Sequence, residues 1–139
     1  MNANFQADAK IAKIAEAYAL DAVDFAARNF QIILDWSDDN VRLVEGCLKT
    51  LHDQLGDARP AEETVWTFAK VFGSYVGEVF RRNHGGEWGM IQLDGESFPG
   101  IQYESGVLCW PWSRAYKRIT IGGEENIWHY YCILLEKTA

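Results

Sequence analysis

VWTFAKVFGSYVGEVFRRNHGGEW, residues 65–88, is the stretch on which the fold turns. Val65, Phe68, Ala69, Phe72, Val76 and Val79 recur at helical spacing on one face, with Tyr75 and Phe80 at its edges. The apolar period stops at NHGG and gives way to EWGMIQL, a short run with strand character. The stretch therefore marks the junction between a helical first half and a β-containing second half. It also gathers Glu78, Arg81, Arg82, His84 and Glu87 beside that junction. Gly73 and Gly77 lie together on one flank of the helix. Each glycine costs about 1 kcal/mol relative to alanine in a helix interior, so close contact with another backbone or a bulky aromatic is expected there.

Upstream, Ala7, Ile11, Ile14, Ala15, Tyr18, Ala22, Phe25 and Ala26 form an apolar stripe opposite Asp21, Asp24, Arg28, Gln31 and Asp35. This predicts a first amphipathic helix over about 8–35. WSDDN supplies Ser37 or Asp38 as a cap and acids for the first turn of a second helix, about 38–55. Val41, Val44, Cys47, Leu48, Leu51 and Leu55 make its stripe, and Gly56 is a natural stop. Pro60, Glu62 and Glu63 suit the opening of the third helix, about 60–84.

Downstream, strands are expected within about 87–112, with turns at DGES and FPG and a hairpin near Ser105-Gly106. Residues 112–121 read either as more sheet or as a short helix. Ile127, Tyr130, Tyr131 and Leu134 share a helical face, so 124–136 reads as a C-terminal helix, although its β-branched and aromatic content also permits a strand. The expected class is α+β, in a single domain over 1–139. Three N-terminal helices would pack on a small antiparallel sheet, with a helix at the C-terminus.

The chain has 139 residues, 48% hydrophobic and 14% aromatic, enough to bury a core without metal or disulfide staples. Its net charge of −7 disfavours nucleic acid and anionic membranes and favours a basic protein partner. No run has the length of a transmembrane helix, and the N-terminus lacks a basic segment followed by an unbroken apolar one. Cys47, Cys109 and Cys132 are odd in number and widely spaced, which suggests free thiols in a reducing compartment rather than a disulfide framework. Together these point to the cytoplasm.

The chemistry-bearing residues exclude more than they assign. His52, His84 and His129 have no paired spacing, and no cysteine pair has zinc-site spacing, so no metal is expected. No glycine loop cradles a phosphate, and no cofactor is implied. Cys109 would need His84 or His129 and an electropositive setting to act as a nucleophile. It lies instead in the apolar run VLCWPW and reads as a core cysteine. Glu78 falls on the polar side of the third helix beside Thr67 and Ser74, where a salt bridge to Arg81 or Arg82 is its ordinary role. Glu78, Arg82, His84 and Glu87 would instead serve a small molecule if they converged in a cleft between the third helix and the sheet. Trp110, Trp112 and Tyr116, interleaved with Arg114, Lys117 and Arg118, read either as core aromatics beside a solvated basic face or as interface anchors, and the acidic chain disfavours nucleic acid for them.

The run YVGEVFRRNHGGEW resembles a segment of small bacterial proteins of unknown function, and PWSRAYKRITIGGEE is similar to the segment that such proteins carry after their strands. Some of these proteins look like immunity proteins encoded beside secreted toxins. The resemblance implies a partner rather than an activity, and it carries no catalytic residues. The expected function is therefore a non-enzymatic binding protein that neutralises a toxin by direct contact. Trp110, Trp112, Tyr116, Asp35, Asp38 and Asp39 are its candidate contacts. The cleft at the junction is the alternative, and a homo-oligomer is a third arrangement.

Overall fold

The computed structural model describes residues 3–139. Its helices are α1 (Ala9–Phe30), α2 (Val41–Ala58), α3 (Glu62–His84), α4 (Pro111–Thr120) and α5 (Ile127–Thr138). Its strands are β1 (Asn4–Ala7), β2 (Glu87–Leu93), β3 (Glu96–Gln102) and β4 (Leu108–Cys109), forming one antiparallel sheet in the order β1-β2-β3-β4. The class is α+β. The element order differs from the expected one, because a strand precedes the first helix. β1 is short, exposed or half-exposed along its length, and pairs only with β2, so no alternation of buried and exposed residues betrays it.

The helix bounds also shift, for local reasons. α1 ends at Phe30 rather than near 35, because Gln31 turns into the left-handed region at φ 55° and sends its N–H to Ala26 O. A turn of 3-10 helix over Asp38–Asn40, with Ser37 in the N-cap position but making no side-chain cap bond, leads directly into α2 at Val41. It runs through Gly56 and ends where Arg59 adopts φ 47°. Residues 112–121 are mostly helical: Pro111 sits at the first position of α4, where its missing N–H costs nothing. α5 starts at Ile127, and the Asn126 side chain accepts the His129 N–H as its cap. Asp94 (φ 53°) and Gly95 (φ 81°) form the two-residue turn between β2 and β3, the primed geometry that matches strand twist.

The third helix is more deeply placed than an amphipathic pattern implies. Every residue of 71–80 is buried, including Ser74 and Glu78. α3 is enclosed by α1 on one side and α4 on another, and the Trp88 and Ile101 side chains of the sheet cover it at Gly77. Ala15, Ala19, Ala22 and Ala26 of α1 are fully buried, and these small side chains let that helix lie close. The two flank glycines answer to two different neighbours. A Cβ at Gly73 would lie 2.6 Å from the Pro111 carbonyl oxygen, and one at Gly77 would lie 2.4 Å from the Trp88 indole. One glycine makes room for a backbone and the other for an aromatic ring. Among the described residues, no helix is long and apolar enough to cross a membrane.

Candidate functional site

The centre of the junction is Glu78. Its position on α3 faces the start of β2, so the side chain is covered by the sheet and is only 1% exposed. A buried carboxylate needs hydrogen bonds and countercharge. Arg81, one turn later, supplies both: its Nε donates to Oε2 at 2.7 Å and its Nη2 to Oε1 at 3.0 Å. The Trp88 indole N–H donates to Oε2 at 2.9 Å, and Arg82 Nε lies 3.5 Å from Oε1. Burial alone would push the Glu78 carboxyl up. The hydrogen bonds from Arg81 and Trp88, with the charges of Arg81 and Arg82, outweigh it and hold the group below its ordinary value. Glu78 is therefore a fixed anion and not a proton donor.

In front of this ion pair opens a cleft of about 580 Å³. Its floor is Glu78, Arg81 and Trp88. One wall is the end of β1 and the first two turns of α1, with Ala9 and Ala12 as its apolar part and Lys13 and Glu16 as its charged part. Gly86 and Glu87 close the other side. Asp8 also lines the cleft, but its carboxylate caps α1, accepting from Lys10 N at 2.8 Å. Lys13, Glu16 and Glu87 have no ion pair among the described residues. Of the four residues expected in a junction cleft, Glu78 and Glu87 converge here.

Arg82 and His84 point elsewhere, which corrects that expectation. Successive helical positions diverge by about 100°, so Arg82 reaches Glu78 Oε1 at 3.5 Å from the side away from the cleft and does not line it. The Arg82 guanidinium lies 3.8 Å from the centre of the Trp36 ring, whose other neighbour is the Tyr75 ring at 4.7 Å. The Trp36 N–H donates to Tyr75 Oη, and Asn83 donates to Trp36 O. This sandwich holds the segment between α1 and α2 onto the end of α3. His84 stacks on Phe80 and donates from Nε2 to Asp38 Oδ2 at 2.8 Å. The other Asp38 oxygen accepts from the buried Tyr131 hydroxyl at 2.5 Å.

Asp38 therefore joins α3 to α5 and is occupied within the fold. Asp39 pairs with Arg42 at the surface. Asp35 is exposed, and hydrogen bonds from Ser37 hold its carboxyl below the ordinary value. The aromatic anchors are also partly consumed. Trp112 is only 9% exposed, with its indole N–H bonded to Ser74 at 2.7 Å, so it belongs to the core rather than to a surface. Tyr116 stacks on Trp66 at 4.1 Å and donates to Glu62. Trp110 stays half-exposed beside Leu108, Arg114 and Tyr130.

Burial pushes the thiols of Cys109 to about 12 and Cys47 to about 11, the opposite of what activates a nucleophile. Lys13 and Glu16 were not legible as site residues, because only the packing of α1 beside β2 carries them to the junction. Arg81 was visible as a partner of Glu78 by its spacing, but not as part of a cleft.

No family model matches the chain, and no curated protein matches it. Among solved structures it is similar to a crystal structure of a protein from Bacteroides thetaiotaomicron VPI-5482, with a TM-score of 0.68 and 13% sequence identity. The likeness covers 99% of this chain and 48% of that one, so the chain spans about half the length of the structure it matches. At this identity the likeness is one of fold.

Proposed function

We propose that the protein is a non-enzymatic binding protein that docks a basic protein partner, as an immunity protein occludes a toxin. The observation that carries this reading is the presented segment between α1 and α2. Ile33 stands 76% exposed there, next to the exposed acids Asp35 and Asp39. Non-glycine positive φ angles at Gln31 (55°) and Trp36 (69°) bracket the apolar tip. Such a conformation costs about 1–2 kcal/mol for an L-residue. At Trp36 the stack between Arg82 and Tyr75 and the two backbone hydrogen bonds oppose that cost. Strain held in place by its surroundings is characteristic of functional segments. A pre-ordered tip loses little entropy on binding. Burying one isoleucine contributes about 1.5–3 kcal/mol, and the acids steer a cationic partner.

Co-expression of the tagged protein with the product of the neighbouring gene, followed by capture and calorimetry, tests the reading. A basic partner should be recovered, its affinity should fall with added salt, and Ile33→Asp or the pair Asp35→Lys and Asp39→Lys should weaken it at least ten-fold. Recovery of no partner, or of one indifferent to all three changes, would sink the proposal.

The cleft supports a second reading, a site for a small molecule. Its volume lies within the range of about 300–1,000 Å³ usual for such sites, and it is floored by a buried, ionised carboxylate.

A further inference from the structure

We infer that the junction cleft binds a zwitterion carrying a carboxylate and an ammonium group, the chemistry of a free amino acid or a peptide end. The inference rests on the second reading above and gives its ligand a class.

The carboxylate receptor is Arg81. Glu78 engages its guanidinium from the side, through Nε and Nη2. That grip leaves the outer edge intact: both hydrogens of Nη1 and the remaining hydrogen of Nη2 have no partner among the described residues. A guanidinium usually loses side-chain entropy when it grips a carboxylate in bidentate fashion. Here Glu78 has already fixed the plane, and Arg81 lines the cleft at 37% side-chain exposure. The free edge has the two-pronged geometry that matches a carboxylate. Lys13 adds a second positive charge on the α1 wall.

A simple anion does not fit the rest of the cleft. Four carboxylates line it, from Asp8, Glu16, Glu78 and Glu87, against the two cations Lys13 and Arg81. A ligand with only negative charge would meet a net negative surround. A ligand with only positive charge would leave the Arg81 edge unused. A zwitterion satisfies both: its carboxylate meets Arg81 and Lys13, and its ammonium meets Glu87 and Glu16, which form no ion pair among the described residues, Glu16 acting on Arg81 only through its charge. Ala9 and Ala12 provide an apolar surface for a side chain.

The test is a nitrogen-15 NMR titration that follows the Trp88 indole N–H and the Arg81 Nε–H. The probes are each of the common L-amino acids in turn, with acetate and ethylamine as single-charge controls. At least one amino acid should shift both signals saturably and bind at least ten-fold more tightly than either control. Lys13→Met, Glu16→Gln and Glu87→Gln change exposed side chains and leave the core intact, so each should fold. Each should weaken that amino acid by about three- to ten-fold, since a ten-fold change corresponds to about 1.4 kcal/mol. Ethylamine or acetate binding as tightly as every amino acid would overturn the zwitterion assignment and leave a cleft ligand standing. No saturable shift with any probe would overturn both, as would an affinity unchanged in all three variants if the shifts mapped elsewhere.

Discussion

Gly73→Ala sets two effects of known size against each other. Alanine is favoured over glycine inside a helix by about 1 kcal/mol, so propensity alone predicts a more stable protein. The packing of α3 on α4 predicts the reverse. The new Cβ would lie 2.6 Å from the Pro111 carbonyl oxygen and 2.9 Å from both the Pro111 carbonyl carbon and the Trp112 Cα. Those atoms are backbone and cannot rotate away. Restoring an ordinary contact of about 3.4 Å requires α4 to retreat by roughly 0.8 Å.

α4 is not free to do so. The Trp112 indole is bonded to Ser74 on α3 at 2.7 Å. Arg118, 3% exposed, is clamped to Glu45 on α2 at 2.9–3.0 Å. Overpacking costs about 1–3 kcal/mol, and three rigid backbone atoms within 3.0 Å put this case at the upper end, so the net effect is a loss of about 1–2 kcal/mol. For a chain of this size that corresponds to a Tm lowered by about 3–8 °C.

The control is Gly46→Ala on α2. A Cβ there has nothing within 4 Å, so it should raise stability by up to about 1 kcal/mol. Urea unfolding followed by tryptophan fluorescence, checked by calorimetry, measures both. If Gly73→Ala matched or exceeded the native protein while Gly46→Ala behaved as a control should, the close α3–α4 contact would be wrong.

Other consequences follow from the same geometry. Trp88→Phe removes the indole donor from the buried Glu78 carboxylate, and urea unfolding should show a loss of about 1.5–3 kcal/mol. Glu45→Gln leaves the Arg118 charge buried without its counterion and should cost about 3–5 kcal/mol, whereas replacing both residues with methionine should cost less than that single change. Acidification should lower the urea midpoint. The folded Glu78 value lies below its unfolded value of 4.5, so its contribution is complete above that pH and is lost as the pH falls through the folded value; Glu78→Gln should flatten this limb.

Alkaline conditions act first through the thiols and, above pH 10, through Tyr75, Tyr130 and Tyr131, whose hydroxyls burial also pushes up. The folded values of Cys47 and Cys109 lie above the unfolded value of 9.0, so the unfolded chain releases protons first and stability falls as the pH rises past 9. The slope should be about 1.4 kcal/mol per pH unit for each thiol between its two values. The double variant Cys47→Ala, Cys109→Ala should reduce it, and a limb left unchanged would refute the assignment.

The strongest periodic signals in the chain correspond to elements found in the fold. The stripe from Val65 onward became α3, the NHGG stop became the Gly85 exit at φ 103°, and the Asp94-Gly95 turn joined β2 to β3. These features are local. They depend on side-chain period and on backbone angles that a few residue types favour, so neighbours in sequence suffice to reveal them. The flank glycines announced a close approach in the same way, because their cost in a helix called for compensation.

What escaped that reading depends on partners distant in the chain. β1 has no pattern of its own and exists because β2 offers an edge. Glu78 and Ser74 looked solvent-facing, since a helix enclosed on all sides cannot be told from one buried on a single face until its neighbours are placed. Trp112 could serve the core or an interface as a sequence, and only the turn of α4 toward Ser74 assigns it to the core. Arg82 and His84 left the cleft for Trp36 and Asp38, and Lys13 and Glu16 entered it from the first helix.

The acidic balance, the α+β class and the position of the helix-to-sheet junction thus belong to the linear chain, because charge adds without regard to shape and helical or strand period is short-ranged. The composition of the cleft and the exposed Ile33 tip belong to the packed molecule. A binding surface is a set of side chains brought together by long-range contacts, and which of them stay free is settled only after the core has claimed its own partners.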